Sequence, residues 1–136
     1  MTSEESYRIK PGPPGDVSCG QARDMARRIL SQVGAAADRM EDVLVVVSEL
    51  ISNARRHGGG VTEFQITARP GTVTVEVSDR SPRRPRQRPW APAAPGGFGW
   101  RLTNSLADRT DVRFHRGGKT VVTTFTTGRP GPSPAL

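Results

Sequence analysis

The sequence predicts an α/β (α+β) two-layer sandwich, in which a mixed and mostly antiparallel sheet carries three helices on one face. Two of the observations that support this prediction concern periodicity. Apolar residues recur at helical spacing in the first half of the chain, and after residue 60 apolar and polar residues alternate with a period of two. A third is a glycine-led short helical segment between the two strand regions. With 136 residues, the chain is long enough for one domain with a single core.

Two helices are predicted first, each with a capping signal. Ser18 followed by Gln21 forms a capping box at the start of the first helix. Asp38 with Glu41 predicts a second capping box, which opens a long helix that ends near His57. The core-facing positions are Ala22, Met25, Ala26, Ile29, Leu30 and Val33 in the first helix, and Val43, Val46, Val47, Leu50, Ile51 and Ala54 in the second.

Alternation of apolar and polar residues predicts the strands. A short strand is expected at Tyr7–Lys10, and two more at residues 64–68 and 73–79, which are joined by a Pro-Gly turn. A short helix then precedes a last pair of strands at about Thr110–His115 and Thr120–Thr126. The Arg-Gly-Gly-Lys segment between these strands predicts a hairpin.

Composition divides the chain into three parts and indicates an intracellular protein. We expect a flexible N-terminal segment over residues 1–16, a folded domain over 17–127 and a disordered Pro/Gly-rich tail over 128–136. No apolar run approaches the roughly 18 residues of a membrane span, and no signal-peptide core is present. A single cysteine, Cys19, excludes an internal disulfide framework and suits a reducing cytoplasm. The expected location is therefore cytoplasmic, without membrane attachment.

The net charge of +7 is concentrated in one loop. Five of the positive charges belong to Arg80, Arg83, Arg84, Arg86 and Arg88. Prolines alternate with these arginines, which prevents a helix or a central strand, and no aromatic residues interleave with them. We therefore expect no direct nucleic-acid partner, and favour a basic loop near an anionic ligand or an acidic protein. The aperiodic segment of residues 80–95 is long for a compact domain, which suggests a lid.

A line of polar side chains borders the apolar stripe of the long helix. Glu49, Asn53 and His57 follow one another at intervals of four residues and so lie along one side of the helix. Carboxylate and amide oxygens in this arrangement suit Mg²⁺, and a partly buried carboxylate can act as a general base. The alternative is an ordinary polar flank, with His57 as the last helical residue before a glycine cap.

Two further signals lie later in the chain. Asp79 continues the parity of three alternating valines and therefore points to the apolar face, where a carboxylate needs a hydrogen-bond partner. A strand-terminal turn residue is the simpler interpretation of Asp79, and an acceptor for the exocyclic amine of adenine is the functional one. The run from Gly96 to Trp100 contains Gly97 and Gly99 and opens a helix, an arrangement that lets backbone N–H groups approach a phosphate.

Taken in order, these motifs resemble the GHKL (Bergerat-fold) ATPase family, the histidine kinase-like ATPases. The resemblance covers about residues 17–127, and it is carried by Glu49-x-x-x-Asn53-x-x-x-His57-Gly58, the strand-terminal Asp79 and the Gly97-x-Gly99 helix start. The small single-domain form looks most like the bacterial anti-sigma factor serine/threonine kinases, because Ala107-Asp108 follows the last helix and the motif Gly118-Lys119-Thr120-Val121 precedes the last strand. One departure is plain: the family pattern Asp-x-Gly-x-Gly is replaced by Asp79-Arg80-Ser81-Pro82-Arg83.

The resemblance implies a Bergerat ATP-binding fold with ATP and Mg²⁺ as cofactors. It implies that Asn53 coordinates Mg²⁺ and that Glu49 accepts the proton of an attacking serine hydroxyl. Asp79 would bind the adenine amine, with Thr120 supporting that contact through water. Gly97 and Gly99 would wrap the phosphates.

The implied function is that of an anti-sigma factor, whose partners would be a sigma factor and an anti-sigma antagonist protein that it phosphorylates. A homodimer is compatible with this interpretation. Two alternatives stay open at this point. One is a catalytically weak module that sequesters a partner and uses nucleotide as a structural ligand. The other is a nucleic-acid binder that acts through the Arg/Pro loop.

Overall fold

The computed structural model describes residues 4–12, 16–83 and 97–127. Their elements, in chain order, are β1 (Glu5–Ile9), α1 (Cys19–Gln32), α2 (Ala37–His57), β2 (Val61–Arg69), β3 (Thr72–Asp79), α3 (Gly97–Leu106), β4 (Arg109–His115) and β5 (Gly118–Thr126). The expected lid, apart from residues 80–83, and the expected tail lie outside the described residues.

The five strands form one sheet in the order β1-β2-β3-β5-β4. Each of the four pairings is antiparallel, so no parallel pair occurs among the described strands. The β2–β3 turn contains Gly71 at φ +83°, and the β4–β5 turn contains Gly117 at φ +91°, as turn glycines require. The predicted turn and hairpin are therefore confirmed.

The three helices cover one face of the sheet and enclose the core. Alternate residues of β3 (Val73, Val75 and Val77) face the helices, and β2 and β5 present Ile66 and Phe125 on the same side. The buried positions of α1 and α2 are Ala22, Ala26, Ile29, Leu30, Val43, Val46, Val47, Leu50, Ile51 and Ala54. The two-layer α+β sandwich predicted from the periodicity is therefore the observed fold.

The helix starts agree with prediction in one case and differ in the other. The capping box at Ser18 is present, because the Ser18 hydroxyl accepts the N–H of Gln21 at 3.1 Å and Oε1 of Gln21 accepts the N–H of Ser18 at 3.1 Å. The box predicted at Asp38 is wrong. The chain is extended at Ala36 and enters α2 at Ala37, so Asp38 already lies in the first turn. There its Oδ1 accepts the N–H of Arg39 at 2.9 Å.

The opposite face of the sheet is polar. Cross-strand pairs on this face include Arg113 Nη2 with Glu76 Oε1 at 2.7 Å, and Arg8 Nε with Glu63 Oε2 at 2.9 Å. No described element covers it. In the described part of the chain, no helix is long and apolar enough to cross a membrane.

Candidate functional site

The C-terminal end of α2 meets the C-terminal end of β3. The N–H of Arg80 donates to the Gly58 carbonyl at 2.8 Å, which joins the residue after β3 to the residue after α2. A Cβ added at Gly58 would lie 2.5 Å from Cγ of Asp79, so only glycine fits here without movement. This close contact sets the depth of Asp79 beneath the helix that carries Glu49 and Asn53.

A polar clamp fixes the turn between α2 and β2. Oδ1 of Asp16 accepts the N–H groups of Val17 and Val61, both at 2.8 Å, and Oδ2 lies 3.2 Å from Nε of Arg55 on α2. Burial alone would raise the pKa of Asp16, but the N–H donors of Val61 and Val17 and the Arg55 charge outweigh it and lower that pKa. The turn residue Gly59, at φ +76°, is also held by Arg80 Nη1, which donates to its carbonyl at 2.6 Å.

Glu49 and Asn53 lie one turn apart on α2, and both are half-buried. Neither side chain has a hydrogen bond or an ion pair to another residue of the described ranges 4–12, 16–83 and 97–127. His57 continues the line but is exposed at the last position of the helix. Within the described ranges, the oxygens of Glu49 and Asn53 therefore remain available to a ligand.

Asp79 is buried with 4% of its surface exposed, on the apolar face, as its parity predicts. Its carboxylate already has partners. Oδ1 accepts the N–H of Ser81 at 2.8 Å, and Nζ of Lys119 lies 3.1 Å from Oδ1 and 2.9 Å from Oδ2. The side chains of Asp79 and Lys119 are 6% and 7% exposed, so this ion pair is almost fully removed from water.

Lys119 is the site residue that sequence analysis missed. Its parity along β5 is that of Val121, Thr123 and Phe125, which all face the helices. The register places Lys119 directly opposite Asp79. Extending the β5 alternation back by one step, as was done for Asp79 on β3, would have placed this cation on the helix-facing side of the sheet, while its pairing with Asp79 depends on the strand register.

Thr120 lies on the other side of the sheet from Asp79. It is paired with Ser78, and the two hydroxyl oxygens are 2.7 Å apart. A second hydrogen bond joins Thr120 Oγ1 to Nε2 of His115 at 3.0 Å. Because neighbouring residues of a strand point to opposite faces, the side chain that β5 directs at Asp79 belongs to Lys119. The contribution of Thr120 to an adenine contact through water stays a prediction, with its side chain on the opposite face of the sheet from the Asp79 carboxylate.

Gly97 and Gly99 lie in the first turn of α3, which begins at Gly97. This is the helix start predicted from the glycine run, and α3 contacts α2, so the glycine turn and the Glu49–Asn53 helix belong to the same helical layer. Gly96 and the loop arginines Arg84, Arg86 and Arg88 lie outside the described residues.

Arg39 joins the elements at the other end of the layer. Its Nε donates to the Thr126 carbonyl at 2.8 Å, and its Nη1 donates to the Leu106 carbonyl at 2.9 Å. Nη2 pairs with Asp108, whose Oδ2 also accepts the Thr126 N–H at 2.7 Å. The Thr126 N–H, more than any other contact, holds the pKa of Asp108 below its ordinary value, with Arg39 contributing. This network fixes the C-terminal end of α3 to the start of α2.

The two ends of the candidate site differ in their fit to a nucleotide. The free oxygens of Glu49 and Asn53 suit a hard cation that is also held by phosphate oxygens, the usual setting for Mg²⁺. Within the described ranges, no group of three or more His, Cys, Asp or Glu side chains could form a metal site by itself. At the other end, the Asp79 carboxylate is engaged by Lys119, so the arrangement shown does not fit an adenine amine until that ion pair opens.

Comparisons with known proteins were made on the sequence and on the fold. Residues 15–125 match the family described as histidine kinase-like ATPase domain. A search of curated protein sequences gives no significant match. The fold is similar to the crystal structure of the RsbU and RsbW domains of Rv1364c from Mycobacterium tuberculosis, with a TM-score of 0.67 and 20% identity. That alignment covers 93% of this chain and 34% of the other, so this chain spans about a third of the other's length.

Proposed function

Because the chain belongs to the histidine kinase-like ATPase domain family, we propose that it is an ATP-binding regulatory protein, an anti-sigma factor that phosphorylates a serine or threonine of an antagonist protein. One observation carries the proposal beyond the family: Glu49 and Asn53 lie one helical turn apart and half-buried, and their side chains have no polar partner among residues 4–12, 16–83 and 97–127. The likeness to a fold that contains an RsbW domain supports the same class of function.

Each predicted site residue has one role in this proposal. Asn53 would hold Mg²⁺ through its side-chain oxygen, and the cation would neutralise charge on the phosphates of ATP. Gly97 and Gly99 would bring backbone N–H groups to those phosphates. Asp79 would select adenine by accepting its amine.

Glu49 would act as the general base. In the transfer, the bond from the γ-phosphorus to the oxygen of the ADP leaving group breaks, and a bond to the hydroxyl oxygen of the partner protein forms. The hydroxyl proton passes to the Glu49 carboxylate, and the ADP oxygen keeps the electron pair of the broken bond. Positioning and charge neutralisation dominate such reactions, so Glu49 is needed for rate more than for nucleotide binding.

The test measures transfer of labelled phosphate from ATP to a partner protein that co-purifies with the chain. We expect Glu49→Ala to keep ATP affinity within a few-fold and to lower the transfer rate by roughly 10²-fold. Glu41→Ala is the matched control, because Glu41 lies on the same helix and is exposed. Equal rates for Glu49→Ala and the wild type would remove Glu49 from the mechanism.

A second candidate function is a binding module that sequesters its partner and uses nucleotide only as a structural ligand. The observation that favours it is the buried Lys119–Asp79 ion pair, because adenine must displace Lys119 at each exchange, which slows turnover more than it limits a nucleotide that stays bound. The same assay separates the two candidates. Partner binding with no phosphate transfer by the wild-type protein would select the module.

A further inference from the structure

Lys119 is a buried cation placed on the acceptor that the proposed function assigns to adenine. Its Nζ lies within 3.1 Å of both oxygens of Asp79, and its side chain is 7% exposed. In the described part of the chain, Nζ also donates to the Ser81 carbonyl at 3.4 Å. The ammonium is therefore held almost entirely by the end of β3.

The Asp79 carboxylate has little room for another donor. Oδ1 receives both the Ser81 N–H and the Lys119 ammonium. Oδ2 receives Lys119 on one side and lies against Gly58 on another, where an added Cβ would be only 2.6 Å away. A carboxylate offers about four acceptor positions. Here Ser81, Lys119 and the Gly58 backbone at the end of α2 lie against these positions.

The backbone fixes Lys119 in this place. Gly118, directly before it, has φ +156°, and a Cβ there would be 1.8 Å from the Asp79 carbonyl oxygen. The hairpin thus brings β5 against the end of β3 more closely than any other residue type allows. A one-residue slip would turn Lys119 to the polar face, so the glycine and the strand register together direct the ammonium at Asp79.

We propose that Lys119 competes with the adenine amine for Asp79, and that it sets the nucleotide affinity of this chain. The inference rests on the proposed function. An ammonium and an exocyclic amine are both N–H donors. Ser81 and Lys119 fill the acceptor positions of Oδ1, and Lys119 and the Gly58 backbone flank Oδ2, so the adenine amine reaches the carboxylate only at a position that Lys119 holds. Nucleotide enters as Lys119 leaves Asp79, and the flexible four-carbon stem of the lysine makes this movement feasible without a change of backbone.

The first experiment is calorimetry of Mg-ADP binding to the Lys119→Met variant, which keeps the length and the apolar stem but removes the charge. We expect affinity for Mg-ADP to rise by roughly tenfold or more, since a charge-assisted competitor is removed. Lys10→Met is the matched control, because Lys10 is exposed and is the only other lysine of the chain. Its affinity should equal that of the wild type.

The outcomes separate this inference from the proposed function. Wild-type binding with equal or weaker binding by Lys119→Met overturns the inference and leaves the proposed function in place. No binding by either protein at millimolar nucleotide overturns both.

A second measurement uses the wild-type protein, so it decides the matter even where Lys119→Met does not fold. With two lysines in the chain, labelling of lysine side-chain nitrogen gives two ammonium signals. Saturation with Mg-ADP should shift the Lys119 signal and leave that of Lys10 unchanged. A Lys119 signal that stays in place when Mg-ADP is bound would show that the ion pair persists, and would contradict the inference.

Discussion

Arg39 should contribute more to the free energy of unfolding than any ordinary surface arginine. Its guanidinium reaches two backbone carbonyls, those of Thr126 and Leu106, and lies 5.2 Å from the ring centroid of Phe125. The side chain is only 20% exposed. Arg39→Met removes these contacts but retains a long apolar stem, so the loss reports on the guanidinium.

The magnitude follows from the separate contacts. The pairs with Asp42 and Asp108 involve carboxylates that are 34% and 47% exposed, so together they contribute about 1 kcal/mol or less. Each charge-assisted bond to a carbonyl is worth about 1.5 kcal/mol, and the contact with the ring adds about 0.5 kcal/mol. Since such contributions overlap, we expect a total loss of about 3 kcal/mol.

Urea unfolding monitored by circular dichroism measures this loss. With a urea slope of about 1.5 kcal/mol/M, the midpoint of Arg39→Met should fall by about 2 M. Arg27→Met is the control, because Arg27 makes one i,i+3 ion pair with Asp24 and the two side chains are 48% and 73% exposed. The control should change stability by less than about 0.5 kcal/mol. Equal midpoints for the two variants would refute the assignment of Arg39 as a structural junction.

Two further predictions concern the turn that supports the site. Gly58→Ala should destabilise the fold by about 1–3 kcal/mol, because the added Cβ would overlap Asp79. Gly20→Ala is the control, since its Cβ meets nothing closer than 3.8 Å and the substitution should be neutral or stabilising. Equal thermal unfolding midpoints for the two variants would contradict the overlap. The Asp16 pKa is lower in the folded state, so its contribution to stability is present above the unfolded pKa of about 3.9 and is lost as pH falls through the folded pKa. Asp16→Asn should therefore flatten the acid side of the stability profile, and an unchanged profile between about pH 5 and pH 2 would argue against the clamp.

Periodicity in the sequence was enough to predict the layers and the faces. The valine alternation of β3 predicted that Asp79 points inward, and the helical stripe predicted that Glu49 and Asn53 border the core. Both placements are observed. These features are local, because each depends only on the spacing of residues within one element.

The partners of the buried polar groups were not predicted, because they come from distant parts of the chain. Lys119 meets Asp79 across 40 positions, and Arg39 reaches Asp108 across 69. Thr120 was assigned by its place in a motif, although strand parity puts it on the polar face beside Ser78. The start of α2 was misplaced because Asp38 was interpreted as the N-cap. An aspartate is equally suited to the first turn, where the helix dipole stabilises a carboxylate.

Binding of Mg-ATP by the wild-type chain tests the central claim most directly. Calorimetry should show saturable binding of Mg-ATP at millimolar concentration or below, stronger than binding of Mg-GTP, and weakened by Asp79→Asn. Asp111→Asn, an exposed aspartate on β4, should bind as the wild type does. Absence of binding heat at millimolar Mg-ATP, or equal binding by wild type and Asp79→Asn, would contradict the account.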